Sequence, residues 1–291
     1  MAGRRNILRI EIGTGAAAPV GGGGVFSIGR FEENIRIDPR RMETHRHGFH
    51  ELMMFESGDG VFSADFVDYE IHAPAAVIIP AGTVHWWPTP ENLRGTVIGF
   101  DLAFLRVTSR AEETAVLLMP PFQPVVPFAG GWSENIRPLL RRMHEEWLSD
   151  LPGRRDVLRA CLAMLLVDAG RARNGTRETV ALTAAEKLYA AFVEALEFRV
   201  TSMPSARDLA ADLRVTTDHL SVMLRQISGK TAGDLIAERI LLEAKRLLIH
   251  SRLGVAETGY ALGFESPSYF TRFFRRHGGV SPKEFRLAGA G

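Results

Sequence analysis

Residues 239–286 read RILLEAKRLLIHSRLGVAETGYALGFESPSYFTRFFRRHGGVSPKEFR. The pattern predicts a basic amphipathic helix from Arg239 to about His250. A short helix then ends at Gly263-Phe264, and a second runs from about Ser266 to His277. Gly278-Gly279 stops it and Ser281-Pro282 starts another. Two short helices across a tight turn, the second carrying Arg272, Arg275 and Arg276, have the form of a helix-turn-helix. Phe270 and Phe274 are four residues apart and share a core face. Pro267, Ser268, Thr271, Arg272, Arg275 and Arg276 fall on the other faces. Arginine pairs two-pronged with guanine or neutralises phosphate, so Arg272 and Thr271 are the candidates for bases and Arg276 for phosphate.

The same pattern occurs earlier in the chain. SARDLAADLRVTTDHLSVMLRQISGKTAGDL, residues 205–235, aligns with the later stretch at an offset of 50. Thr216 falls on Ser266, Leu220 on Phe270, Leu224 on Phe274, Arg225 on Arg275, Gly229 on Gly279 and Thr231 on Ser281. Before the turn the offset is 49, which sets Leu209-Ala210 against Thr258-Gly259. The C-terminal region therefore reads as a duplication, with helix-turn-helix units at about 205–228 and 254–278. In the first unit Thr217, Asp218, Ser221, Val222 and Arg225 form the exposed set. Val222 suits a thymine methyl and Asp218 a cytosine amino group, although an acid there also favours the helix dipole. Glycine within a helix costs about 0.5–1 kcal/mol against alanine, so Gly259 predicts a looser second unit.

Arg239, Ala244-Lys245-Arg246-Leu247-Leu248, Gly263-Phe264, Ser268-Tyr269-Phe270, Arg272, Phe274, Gly279, Ser281-Pro282 and Phe285-Arg286 together resemble the DNA-binding signature of AraC/XylS-type transcriptional regulators. The resemblance implies a sensor domain, dimerisation and activation through RNA polymerase. Charge agrees in sign. Residues 180–291 hold 15 Lys/Arg against 12 Asp/Glu, whereas residues 1–179 hold 20 against 22. A basic module joined to a weakly acidic one suits a polyanion binder fused to a sensor.

The first 24 residues, with Gly21–Gly24, read as poorly structured. From Val25 to Leu105 the chain reads as short strands: Val25–Arg30, Glu51–Glu56, Gly60–Asp65, Tyr69–His72, Ala76–Ile79 and Thr96–Asp101. Turn signals at 57–60, 73–74 and 80–82 separate them, as in a small antiparallel barrel or double-sheet jelly roll. His45, His47, Glu51 and Gly58 have the spacing H-x-H-x3-E-x6-G, and Pro80, Gly82 and His85 give P-x-G-x-x-H. Both resemble the two cupin motifs; the second has Pro74 in place of the leading glycine and lacks the trailing asparagine. In metal cupins the ligands would be His45, His47, Glu51 and His85, a set suited to a divalent transition metal. The same residues also suit the polar rim of a ligand pocket or a hydrogen-bonded structural cluster. His50, next to Glu51, should face the other side of the strand. Apolar wall comes from Met53, Phe55, Phe62, Phe66, Trp86 and Trp87, and Trp87 is a candidate ligand contact beside His45, His47, Glu51 and His85. His85-Trp86-Trp87 also looks like sensors of aromatic acids.

An extended connector, Met119 to Pro127, leads to two predicted helices, Glu134–Ser149 behind Ser133 as N-cap and Arg155–Arg171. Their apolar stripe is broad enough to be shared between the barrel and a second subunit. Residues 172–179 read as a linker, and a helix opens the last region at Leu182. Cys161, the single cysteine of 291 residues, excludes an intramolecular disulfide and reads as a buried thiol. No apolar run reaches the ~20 residues of a membrane span, and the start lacks a secretory signal. The expectation is a cytoplasmic α+β protein: a cupin-like sensor barrel (1–128), dimerisation helices and linker (129–179), and an all-α domain with two helix-turn-helix units (180–291). It binds double-stranded DNA and a small molecule, works as a homodimer with RNA polymerase, and is not an enzyme. The alternative is a metal-dependent cupin enzyme fused to a DNA-binding module.

Overall fold

The computed structural model describes residues 8–10, 25–37, 43–105, 124–129, 131–132, 134–174 and 183–288. The chain divides into two compact units, Leu8–Ala181 and Leu182–Gly291. Among the described residues no helix is long and apolar enough to cross a membrane.

Among the described residues, ten strands in the first unit form two five-stranded sheets. One has the order β1-β3-β8-β5-β6, the other β10-β7-β4-β9-β2. The strands are β1 Leu8–Ile10, β2 Phe26–Arg30, β3 His45–His47, β4 His50–Ser57, β5 Asp59–Ala64, β6 Val67–His72, β7 Ala75–Ile79, β8 His85–Thr89, β9 Arg94–Phe100 and β10 Val125–Pro127. All six strands expected from the sequence form, each within two residues of its expected ends. β3 and β8 were not among them: one is three residues long and the other contains Pro88, so neither gives an alternating pattern. Nor were β1, which pairs parallel with β3 inside the stretch read as unstructured, or β10, which pairs with β7 inside the connector.

Period-two alternation explains the layers. On β4, Met53 and Phe55 face the first sheet, where they meet Phe62, Ile71 and Trp87. Leu52 and Met54 face the opposite way, onto helices. β7 is buried throughout because it carries apolar residues on both faces. The helices on that outer face are α2 (Leu102–Leu105), α3 (Ile136–Trp147) and α4 (Arg154–Asn174). Ile136, Leu140, Met143, Leu158, Cys161, Leu162, Leu165 and Leu166 pack there against Phe26, Phe100 and Phe104. The apolar stripe read as shared with a second subunit is thus mostly turned inward, with Met164 left exposed. Ser133 lies outside the described residues. α3 instead begins behind Asn135, whose side chain makes no capping bond. Burial raises the Cys161 thiol above its ordinary range.

The second unit is all helix: α5 Ala184–Arg199, α6 Ala206–Asp212, α7 Thr217–Ser228, α8 Ala232–His250, α9 Val255–Ala261, α10 Pro267–Gly278 and α11 Pro282–Ala288. Its boundaries follow local chemistry. Thr183 and Glu186, Ser205 and Asp208, and Thr231 and Asp234 form reciprocal capping boxes. The long helix starts at Ala232, directly behind the Thr231–Asp234 box. α5 is tied to α8 by Arg239, which donates through Nη2 to Glu197 at 2.8 Å.

Candidate nucleic-acid interface and sensor site

The two helix-turn-helix units repeat each other helix for helix, with one extra residue in the turn of the second. α6 and α9 have seven residues each, and α7 and α10 have twelve. Thr216 Oγ1 accepts from His219 N, and Ser266 Oγ accepts from Tyr269 N, both at 3.2 Å. Gly229 and Gly279 close the helices at φ 71° and 79°, a left-handed conformation that glycine adopts without strain. Leu220 and Leu224 in the first unit, and Phe270 and Phe274 in the second, are fully buried. The remaining faces of α7 and α10 are thereby turned to solvent.

Thr217, Asp218, Val222 and Arg225 are exposed on α7, and Ser221 is half-buried. On α10, Ser268, Arg272, Arg275 and Arg276 are exposed, while Pro267 and Thr271 are half-buried. The hydroxyl of Thr271 donates to the Pro267 carbonyl at 2.8 Å. Its donor is therefore turned into the helix, which leaves the methyl as the outward-facing group. Tyr269, absent from the sequence-based set, is 46% exposed and its ring lies 6.0 Å from the Arg272 guanidinium. A flat ring holding a guanidinium narrows the orientations that Arg272 samples. Helix α8, which joins the units, is 19 residues long. At 1.5 Å per residue it extends about 28 Å, close to the ~34 Å of one DNA turn.

Gly259, expected to loosen the second unit, sits at a close helix–helix contact. It is buried together with Thr258 against α10. A Cβ at Gly259 would lie 3.0 Å from Phe270 Cβ. The missing side chain gives α10 a closer seat, and Thr258 Oγ1 donates to the Gly254 carbonyl at 2.9 Å.

In the first unit, β3, β8 and β4 bring a second group together. His45 and His85 are register partners across β3 and β8. His45 and His47 are two apart and share the inner face. One ring nitrogen from each of His45, His47 and His85 lies within 4.8 Å of the others, and all three residues are buried. Each Nδ1 contacts a main-chain carbonyl: Glu43 at 2.8 Å, Phe49 at 2.7 Å and Thr83 at 3.0 Å, respectively. A carbonyl only accepts, so each Nδ1 carries a proton, and in a neutral ring Nε2 is then the lone-pair nitrogen. Such carbonyl contacts are how proteins orient imidazoles toward a metal. Glu51 Oε2 lies 3.1 Å from His47 Nε2 and 4.0 Å from His85 Nε2. At 3.1 Å the buried carboxylate and imidazole share either a proton on Nε2 or a cation bound between them. As a donor set, three imidazoles and a carboxylate fit a divalent transition metal.

His45 and Glu51 also line a cavity of about 20 Å³ with Phe31, Asn34, Met53, Trp87 and Val97. The rings of His47 and His85 lie 6.0 and 4.2 Å from that of His45 between centroids. Sequence reasoning missed Phe31 and Asn34. They belong to α1, Phe31–Ile37, a seven-residue helix too short to give a clear period. His50 points to the other face, where its Nδ1 accepts from Ala81 N at 3.2 Å. Burial, reinforced by His47, pushes its pKa down to about 4.

A family described as "Helix-turn-helix domain" matches residues 209–288. The chain is 25% identical over 267 residues to the HTH-type transcriptional activator RhaS of Shigella sonnei, covering 87% of this chain and 92% of that one. Identity to RhaS of Escherichia coli O127:H6 is also 25%, over 268 residues with the same coverage. Residues 209–288 carry a helix-turn-helix domain, and the chain is a DNA-binding regulator similar to these activators over most of its length. Among solved structures, ToxT of Vibrio cholerae matches with a TM-score of 0.42 at 15% identity, over 91% of this chain and 98% of that one. In this chain the paired helix-turn-helix units stand at one end of the sequence and the two-sheet unit, with its histidine cluster, at the other.

Proposed function

We propose that this regulator is a cytoplasmic, ligand-responsive activator of transcription. It binds double-stranded DNA as a homodimer and works through RNA polymerase. Its effector is a small molecule, with an aromatic acid as the first class to test. The carrying observation is the convergence of His45, His47, His85 and Glu51 beside a cavity walled by Phe31, Met53, Trp87 and Val97. A few polar groups at one end of an apolar pocket are the usual make-up of a small-molecule site. The relatives are named as transcriptional activators, which supports the direction of regulation.

His45, His47 and His85, with Glu51, would hold a divalent metal ion, which when bound would supply a Lewis-acidic anchor for an oxygen donor of the effector. The cluster is assigned to sensing rather than catalysis, since it shares the chain with a DNA-reading module. The effector shifts the regulator between states that it binds unequally. Thermal-shift screening of the full chain against aromatic acids, sugars and related metabolites tests the reading. Hits should change gel-shift affinity or transcription from a target promoter. A panel in which no compound raises Tm would reject it.

A further inference from the structure

We propose that Phe31 is a built-in plug occupying the place of the effector's ring, so that the effector is a small aromatic compound with a polar oxygen group at one end. This rests on the reading of the cavity as the sensor site and names the class of ligand it takes. Phe31 is the first residue of α1 and is only 2% exposed. Its ring meets Phe55 edge-on at 4.8 Å and Trp87 at 4.9 Å between centroids. Trp87 in turn lies 5.7 Å from Phe55 and 4.8 Å from Phe62. Phe55, Phe62 and Trp87 thus form an aromatic box, and a benzyl group from α1 fills it. Edge-to-face contacts of this kind favour an aromatic ring over an aliphatic group of equal size.

The remaining space supports the same conclusion. A cavity of about 20 Å³ holds one or two waters, whereas benzene has been accommodated in a cavity of roughly 150 Å³. An organic effector enters only where a side chain leaves, and Phe31 is the aromatic side chain that lines the cavity from α1. His45 and Glu51 line it too, so a ring in the place of Phe31 would direct a polar substituent toward the histidine cluster. Asn34, one turn along α1, adds an amide to the wall.

The plug is held by a small latch. Glu32 Oε2 accepts from Gly95 N at 3.2 Å, and Glu32 Oε1 pairs with Arg30 Nε at 3.3 Å. A seven-residue helix has little stability of its own, so α1 depends on these contacts and on the burial of Phe31. Competition between the ring of Phe31 and that of a ligand lowers the apparent affinity by the fraction of molecules that are open. Expulsion of Phe31 moves α1, which turns occupancy of the box into a change at the surface of the sensor unit.

The test is calorimetric titration of the full-length chain with benzoate and salicylate, alongside cyclohexanecarboxylate and acetate. Phe31→Ala should bind the aromatic acids about tenfold or more tighter than the unaltered chain, and tighter than cyclohexanecarboxylate. Phe31→Leu, which keeps apolar bulk, should gain less. Adding Trp87→Ala to Phe31→Ala should abolish the gain. Circular dichroism and a thermal melt establish that each variant is folded. Equal affinity of the folded Phe31 variants and the unaltered chain overturns the plug, as does equal binding of the aromatic and cyclohexane acids. In those cases a hit elsewhere in the metabolite panel leaves the sensor reading standing. If no compound of any class binds either chain, both fail.

Discussion

Phe270 is seated against Gly259 so closely that a Cβ at Gly259 would stand 3.0 Å from Phe270 Cβ and 3.1 Å from Cγ. This contact joins the two helices of the second DNA-reading unit. The backbone cost of glycine in a helix is offset by the full burial of Phe270, which has 0% exposure. Gly259→Val would overpack the joint. Cores respond to such insertions with losses of about 1–3 kcal/mol. Urea unfolding should show a loss of that size, and DNA affinity should fall with it because α10 is displaced. An unchanged midpoint would refute the close-seat account.

Arg272 and Arg276 should differ in how they affect DNA binding. Arg272 is exposed, with its guanidinium 6.0 Å from the Tyr269 ring. Arg272→Ala should weaken binding to a selected duplex by about 1–3 kcal/mol and relax preference at one base position. Arg276→Ala should weaken binding to all sequences alike and reduce the salt slope by about one. Gel-shift titrations across salt and across single-base variants separate the two. If the salt slope falls for Arg272 and base preference changes for Arg276, the assignments are reversed.

A buried charge network holds the second unit together. Glu243 Oε2 accepts from Arg239 Nη1 and from Arg246 Nη1, both at 3.1 Å. Burial works against charge on Arg239, but Glu197 and Glu243 outweigh it and hold the guanidinium above its ordinary range. Glu243→Ala removes the carboxylate between two poorly exposed cations. Breaking such an arrangement costs about 3–5 kcal/mol, and denaturant unfolding should register it. Glu243→Gln keeps a hydrogen-bond acceptor without the charge and should lose less than Glu243→Ala but still lose; a Gln variant as stable as the unaltered chain would show that charge is not the reason.

Regular repetition made the C-terminal unit legible in the sequence. The offset of 50 between Thr216 and Ser266, and between Gly229 and Gly279, is an offset between chemically equivalent caps, and the caps set the helices. Spacing H-x-H-x3-E could place His45, His47 and Glu51 on adjacent strands. It could not show that His85 would be the register partner of His45, because that pairing depends on sheet topology. The contact of Gly259 with Phe270 was not legible, because a propensity counts the helix alone and Phe270 comes from the neighbouring helix. Phe31 was missed for a related reason. Its role follows from meeting Phe55 and Trp87, which are distant in sequence.

The histidine cluster makes a prediction that does not depend on any effector. The carbonyls of Glu43, Phe49 and Thr83 fix the Nδ1 atoms of His45, His47 and His85, and Glu51 Oε2 faces His47 Nε2 at 3.1 Å. Protein purified without chelator should carry about one divalent transition ion per chain by elemental analysis, as expected of a site with this donor set. His85→Ala should lower the metal content severalfold, because it removes one of three imidazoles. His50→Gln is the control, since His50 faces away and accepts from Ala81 N; it should keep the metal. Dialysis against chelator should lower the thermal midpoint of the unaltered chain and leave that of His85→Ala nearly unchanged, since binding to the native state alone is what stabilises it. Retention of full metal content by His85→Ala would place the ion elsewhere.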